Sequence, residues 1–270
     1  MARLGFLRRG ADPEKLMDWQ ATAAKVGSRE PVHCRETESV SKAVEMMDFF
    51  GFRRLPVTDG EGRLRGIVTT TDVLEFLARG RALRTPVKDV MSEPWAVEHW
   101  SSLYRTLGLF HRYRKGGYPV VHDERLKGMI TDFDIVKGIQ RPLGMKVSSI
   151  MTHKPMVVGE NEPILYASRM MSRGFRRLPV VKDGILVGII TPHDVISHLK
   201  ARGKLAGLRR SDRAVRDVMT RDVVTVEPGM DAYAAVRLIK SLGIGGLPVA
   251  EDHEVMGIIT ERDIVNLMRP

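Results

Sequence analysis

A seven-residue pattern occurs four times in this 270-residue chain: glycine, two apolar residues, threonine, any two residues, aspartate. It reads "GIVTTTD" at 66–72, "GMITDFD" at 128–134, "GIITPHD" at 188–194 and "GIITERD" at 257–263. The four glycines lie 62, 60 and 69 residues apart. Nine or ten residues before each glycine stands a proline in an apolar setting, in "LPV" (55–57), "YPVV" (118–121), "LPVV" (178–181) and "LPV" (247–249). A third landmark precedes three copies: "VKDVM" (87–91), "VSSIM" (147–151) and "VRDVM" (215–219). The first copy lacks it, and its first strand is expected around Pro31–Cys34. Ordered landmarks at near-constant spacing mark tandem structural repeats. A unit of about sixty residues buries too little surface to be secure alone, so neighbouring copies should pair about a pseudo-twofold axis.

The last copy shows what one unit folds into. A β-rich run, Val223–Val226, precedes Ala232, Ala235, Val236 and Ile239 at helical spacing, with Gly243 at the helix end. Pro248 can only open a strand or sit at its edge. "EDHE" then turns the chain into the returning strand "VMGIIT". Thr260 fits the N-cap of a closing helix, with Asp263 at the acidic position of a capping box. The unit is therefore β-α-β-β-α and the class α+β, with four tandem repeats paired into two pseudo-twofold modules. The spacing sets repeats at 26–80, 81–140, 147–203 and 211–270, and "GIQRPLGMK" (138–146) separates the modules. Residues 1–25 lead in, with Asp12 and Pro13 suited to start a helix.

These residues carry a family resemblance. "VxDVMT", "LPVV" and "GxxTxxD" together resemble the cystathionine-β-synthase (CBS) domain, in four copies over residues 26–270. The resemblance implies two tandem pairs of the kind called Bateman modules, and the four-copy arrangement is most similar to the gamma subunit of AMP-activated kinase. It also implies an adenosine-containing ligand (AMP, ADP or ATP, ahead of S-adenosylmethionine or NAD) that regulates a partner, a kinase by analogy. The Thr and Asp of the motif would contact the ribose: Thr69 and Asp72, Thr131 and Asp134, Thr191 and Asp194, Thr260 and Asp263. A carboxylate can accept from both hydroxyls of a ribose diol. The same residues serve equally as helix caps.

The copies differ in ways that bear on ligand. Odd copies read "FRRLP" before the proline, even copies "GGYP" and "GGLP". Arg53, Arg54, Arg176 and Arg177 offer forked donors suited to phosphate, and basic residues here in related paired modules point to a central cleft. The even-copy glycines would let backbone approach the ligand. His193 and Arg262, inside the motifs, could also meet phosphate, which ranks the second module above the first. The base would lie near Met156 and Val157 or Val223 and Val224, residues equally explained as core strand. Ligand phosphates that neutralise arginines across the cleft would draw the repeats together.

The net charge of +10 needs a reason, and two connectors concentrate it. "KARGKLAGLRRSDRAVR" (200–216) holds seven Lys or Arg, and "ARGRALRTPVK" (78–88) four. They form the alternative reading, a nucleic-acid-binding protein with the repeats as scaffold, although no aromatic residues are interleaved for base stacking. Four repeats consume the chain and leave no catalytic domain. No HExxH, GxGxxG or P-loop pattern occurs, and the single Cys34 has no nucleophile signature, so neither catalysis nor a metal is expected. No run reaches the roughly 18 apolar residues of a membrane helix, and the basic N-terminus lacks the apolar core of a secretory signal. Cytoplasmic location is the default, and exposed module edges are compatible with a homodimer.

Overall fold

The computed structural model describes residues 17–201, 208 and 213–268. The helix expected from Asp12 and Pro13 and most of the 200–216 connector lie outside these. The first repeat contains α1 (Ala23–Val26), β1 (Ser28–Arg29), β2 (Cys34–Arg35), α2 (Val40–Phe50), β3 (Arg54–Thr58), β4 (Leu64–Thr69) and α3 (Thr70–Ala78). The second contains β5 (Val97–Glu98), α4 (Leu103–Tyr113), β6 (Gly117–His122), β7 (Arg125–Thr131) and α5 (Asp132–Gly138). The third adds β8 (Thr152–His153), β9 (Val158–Gly159), α6 (Ile164–Ser172), β10 (Leu178–Lys182), β11 (Ile185–Ile190) and α7 (Pro192–Ala201). The fourth has α8 (Ala232–Leu242), β12 (Gly246–Glu251), β13 (Glu254–Thr260) and α9 (Glu261–Leu267). The strand expected at Val223–Val226 is reduced to a single bridge between Val226 and Val249.

Local chemistry accounts for these elements. Ser39, Ser102 and Asp231 cap α2, α4 and α8 by accepting from the backbone N–H of Lys42, Arg105 and Tyr233. Helix α8 buries Ala232, Ala235, Val236 and Ile239 and ends on Gly243 at φ 64°, a left-handed position that glycine takes without strain. Three hairpins turn on two successive residues with positive φ: Asp123–Glu124, Asp183–Gly184 and Asp252–His253. Such turns match the twist of antiparallel strands. The register slips at the same place in all four hairpins, between Val57 and Thr58, Val120 and Val121, Val180 and Val181, and Val249 and Ala250.

The opening segment of each repeat is exchanged with its neighbour. β1 pairs with β7 of the second repeat, and β8 pairs with β13 of the fourth. Ser92 and Thr220 make the reciprocal bridges, to Ile67 and Ile189. The short turns just upstream follow suit: Val87 N–H donates to Glu38, Val147 to Met230 and Val215 to Glu162, at the start of the neighbour's first long helix. This exchange explains why "VM" and "G" recur together. A Cβ on Gly66 would lie 2.3 Å from Met91 Sδ, on Gly188 2.5 Å from Met219 Sδ, and on Gly257 2.5 Å from Met151 Sδ. The methionine of one copy thus packs onto the bare α-carbon of the other. Gly128, opposite the copy without a methionine, instead receives backbone, with Ser28 O 2.6 Å from where a Cβ would sit.

Hydrophobic burial runs across this pairing. One core joins the second and fourth repeats, including Leu107, Phe110, Ile135, Val236, Ile239 and Ile264. The other joins the first and third, including Val44, Met47, Leu74, Leu77, Met171 and Val195. Correspondingly, α3 packs on α6 and α7, and α5 on α8 and α9. Each repeat meets one neighbour through strands and another through helices. Asp48 of α2 fastens the first to the third by accepting from Ser197 and, at 2.6 Å, from Lys200.

Candidate functional site

Each Thr-x-x-Asp motif sits where a hairpin strand becomes a helix, and all four adopt one geometry. Asp Oδ2 accepts from the threonine N–H at 2.7–2.8 Å and from its hydroxyl at 2.6–2.7 Å. The capping box is complete, and aspartate reaches back far enough without the extra methylene of glutamate. One carboxylate oxygen is left over. Among the described residues, Oδ1 of Asp72, Asp134 and Asp194 has no hydrogen-bond partner, and Asp263 Oδ1 has only a 3.4 Å bond from Thr152. Burial pushes all four carboxyls above their ordinary range, while the threonine hydrogen bonds pull the other way.

Because the opening segments are exchanged, each aspartate's cleft is walled by two repeats. Thr152, bonded to Asp263, begins the segment that carries Met156 and Val157 back to β9. Met156, Val157 and Val224 are about two-fifths exposed, at 39%, 38% and 42%, and Val223 is partly buried, so these are not core strand residues. Trp95 occupies the equivalent stretch between Ser92 and β5, half exposed, its ring 3.9 Å from that of Tyr113 at the end of α4. Two residues on, the charge of Lys115 bears on Asp72.

The arginines of the odd repeats meet in the centre. Arg53 Nη2 donates to both oxygens of Glu261 at 3.0 and 3.1 Å, and Arg177 stands 3.9 Å from the same carboxylate. Arg262 donates to Asp132 Oδ2 through Nε at 3.2 Å and Nη2 at 2.9 Å, and to the carbonyls of Phe110 and Lys115. Arg54 and Arg176 feel the charges of both Asp132 and Glu261 but have no hydrogen-bond acceptor among the described residues. Among the described residues, five guanidinium groups thus face two carboxylates. Burial first, and then the neighbouring arginines, pull Arg54 and Arg177 down to about 9 and lower Arg176. Arginine stays charged at neutral pH, so the cluster holds cations where both burial and their mutual repulsion disfavour charge. On the acid side, Asp132 Oδ1 is buried without a hydrogen-bond partner, and burial raises that carboxyl against the pull of Arg262.

The even-copy glycines lie against the arginines, whose guanidinium groups take up the space beside them. A Cβ on Gly245 would lie 1.6 Å from Arg177 Nη2 and 2.4 Å from Arg53 Nη1, and on Gly116 or Gly117 2.5 Å from Arg54. His193 Nε2 lies 3.4 Å from Ser197, and the histidine bears on both Asp48 at the helix interface and Asp194 of its own motif. Among the described residues no group of three His, Cys, Asp or Glu could hold a metal, and no helix is long and apolar enough to cross a membrane.

The CBS domain matches residues 23–79, 87–141, 147–201 and 215–270. The chain belongs to the CBS-domain family. It is 30% identical over 257 residues to the uncharacterized protein MJ1225 of Methanocaldococcus jannaschii, covering 85% of this chain and 92% of that one. The crystal structure of MJ1225, a candidate archaeal homolog of g-AMPK, superposes with a TM-score of 0.82 at 27% identity, over 91% of this chain and 99% of the other. A 33.4 kDa protein in the ribosomal RNA operon of Thermofilum pendens is 30% identical over 79% of each chain. A conserved protein of Pyrococcus horikoshii shares the fold at 20% identity, with a TM-score of 0.63 over 92% of this chain and 99% of that one.

Within the four CBS repeats, sequence reasoning gave no role to Asp132, whose charge has the wrong sign for phosphate, and overlooked Glu261; they are the first residues of α5 and α9. The signal was present: the residue after the motif threonine is acidic in both even copies and uncharged in the odd ones, Thr70 and Pro192. Trp95, Tyr113 and Lys115 were also missed, because the contact of Trp95 with Tyr113 and the approach of Lys115 to Asp72 depend on tertiary packing.

Proposed function

We propose that this CBS protein is a non-catalytic regulatory sensor whose clefts bind adenosine nucleotides. The ligands are AMP, ADP or ATP, ahead of S-adenosylmethionine or NAD. The observation that carries this reading is the central cluster, where five buried or half-buried guanidinium groups outnumber their carboxylates by three. Phosphate supplies the missing charge through forked, charge-assisted hydrogen bonds. The spare Oδ1 of each motif aspartate accepts from a ribose hydroxyl, and the exposed apolar residues of the crossing segments, Met156, Val157, Val224 and Trp95, lie against the base. Phosphate contacts come from Arg53, Arg54, Arg176 and Arg177. Arg262 holds the cluster together, and His193 bears on Asp194 of its own motif as well as on Asp48.

Because the arginines come from both modules, a ligand that binds them stabilises one relative placement of the modules. Ligand changes the state of the protein only as far as it prefers one placement over another. A protein partner reads that placement; the similarity to MJ1225, a candidate g-AMPK homolog, favours a kinase. Calorimetric titration of the full chain with AMP, ADP, ATP, NAD and S-adenosylmethionine at two salt concentrations tests the reading. Saturable binding that discriminates among them is expected. No binding to any of them, beside RNA or DNA binding that falls steeply with salt, would move the function to the basic connectors.

A further inference from the structure

We infer that Glu261 and Asp132 are resident anions that compete with ligand phosphate for the central arginines, and that they hold back ligands of high phosphate charge the most. This rests on the phosphate reading of the cluster and adds to it the residues that set selectivity. Glu261 is 5% exposed and Asp132 3%, and each opens a helix in an even repeat. Each takes an arginine from another repeat: Glu261 binds Arg53 of the first, and Asp132 binds Arg262 of the fourth. Glu261 also lies 3.9 Å from Arg177, so one carboxylate engages arginines of both modules.

Permanent structural ion pairs are expected to close their hydrogen bonds, because an unpaired buried polar atom is costly. This cluster leaves its bonds open on both sides. Among the described residues, Asp132 Oδ1 is buried without a partner, and Arg54 and Arg176 have no acceptor from the protein. The division of labour among repeats points the same way: odd repeats supply the arginine pairs, even repeats supply the acid together with the glycines that give the guanidinium groups space. With both carboxylates in place the cluster carries an excess of three positive charges, and swinging the Glu261 side chain out raises it to four. A monophosphate can seat on the guanidinium groups that the carboxylates leave open. A triphosphate carries more charge and calls on more donors, so it meets the carboxylates' repulsion, or must displace them, at the greater cost.

The test uses the full chain and its Glu261→Gln and Asp132→Asn variants, with Glu45→Gln as a control that removes an exposed charge elsewhere. Inorganic triphosphate, inorganic phosphate and adenosine are titrated separately by calorimetry. Removing a negative charge within hydrogen-bond reach of these arginines should tighten triphosphate binding by about tenfold or more in Glu261→Gln. Asp132→Asn should shift it in the same direction, with a smaller gain for inorganic phosphate and none for adenosine. Unchanged or weaker triphosphate binding in both variants, no triphosphate binding to any form, or an equal gain in Glu45→Gln overturns the inference. The sensor reading fails separately, if neither adenosine nor AMP binds the unmodified chain; the triphosphate comparison then still decides the role of the carboxylates. Melting temperatures of the variants identify a purely structural role, which lowers stability without tightening any anion.

Discussion

The exchange of opening segments makes a prediction that a conventional arrangement of the repeats does not. In the structure Met151 of the third repeat packs on Gly257 of the fourth, and Met219 of the fourth on Gly188 of the third. Gly257→Ala places a methyl 2.5 Å from Met151 Sδ, 3.0 Å from its Cγ and 2.9 Å from Thr152 O. The sulfur can move but the carbonyl is held in the β8–β13 pairing. Overpacking of this kind costs about 1–3 kcal/mol, and about 2 kcal/mol fits a site where only one of the two clashes can relax. In a chain of this size that lowers the melting temperature by roughly 4–8 °C. Met151→Ala, at a side chain only 8% exposed, costs about 2–3 kcal/mol by itself. In the double variant the new methyl occupies space the thioether vacated, so the losses should fall short of their sum by about 1–2 kcal/mol. The cycle is read from denaturant or thermal melts of the four proteins. Gly188→Ala with Met151→Ala is the decisive companion, since each repeat closing on its own methionine would couple that pair. Coupling between Met151 and Gly188, with additivity between Met151 and Gly257, would refute the exchanged topology.

Other perturbations address the clefts and the helix interface. Asp263→Ala removes both a cap and the proposed ribose acceptor, and should cost about 1 kcal/mol of stability and roughly tenfold or more in nucleotide affinity. Lost stability with unchanged affinity at each of the four motif aspartates would make them caps alone. The carboxyls of Asp72, Asp134, Asp194 and Asp263 are raised by burial, so the folded protein binds more protons than the unfolded chain. Their contribution to stability therefore falls as pH rises from the unfolded value of about 3.9 through the raised folded one. A ribose diol needs the ionised acceptor, so AMP affinity should rise over that same window in calorimetry at stepped pH; a flat profile counts against the assignment. Asp48 behaves in the opposite sense: hydrogen bonds from Lys200 and Ser197 hold it below its ordinary value. Its stabilisation is present above about 3.9 and lost as pH falls through the folded value. Asp48→Asn should cost about 1 kcal/mol at neutral pH, Lys200 being partly solvent-screened, and should flatten the acid side of the stability profile.

The repeat, its β-α-β-β-α order and the caps at Thr69, Thr131, Thr191 and Thr260 were legible because each is local: periodicity, proline and the box residues act within a few positions. The partners of those landmarks were not. "VxDVM" reads as the start of its own repeat, and its association with the neighbour's glycine is a contact over about a hundred residues for Met151 and Gly257. The cores that join first to third and second to fourth repeats were equally hidden, since helical spacing shows which face is apolar but not what covers it. Arg53, Arg54, Arg176 and Arg177 were visible as a cluster by type. That Gly116 and Gly245 stand aside for them, and that Asp132 and Glu261 answer them, depends on how the two modules meet. Val223–Val226 shows the limit of propensity, because a β-rich run with only one ladder contact does not become a strand.

Because the methionine lock and the cleft walls are each assembled from two copies, a single copy of this motif set has neither. It is a length of chain that carries half of its own structure and half of its neighbour's. The smallest piece that duplication or recombination could move intact is then the pair, cut on the linker at 138–146 rather than between a pair's members. A break inside a pair would separate Met91 from Gly66, or both Met219 from Gly188 and Met151 from Gly257, leaving unfilled glycines and orphaned thioethers on the fragments. Lineages of such chains should therefore grow and shrink by even numbers of copies, and the two members of a pair should diverge freely from each other while each stays matched to the other's surface.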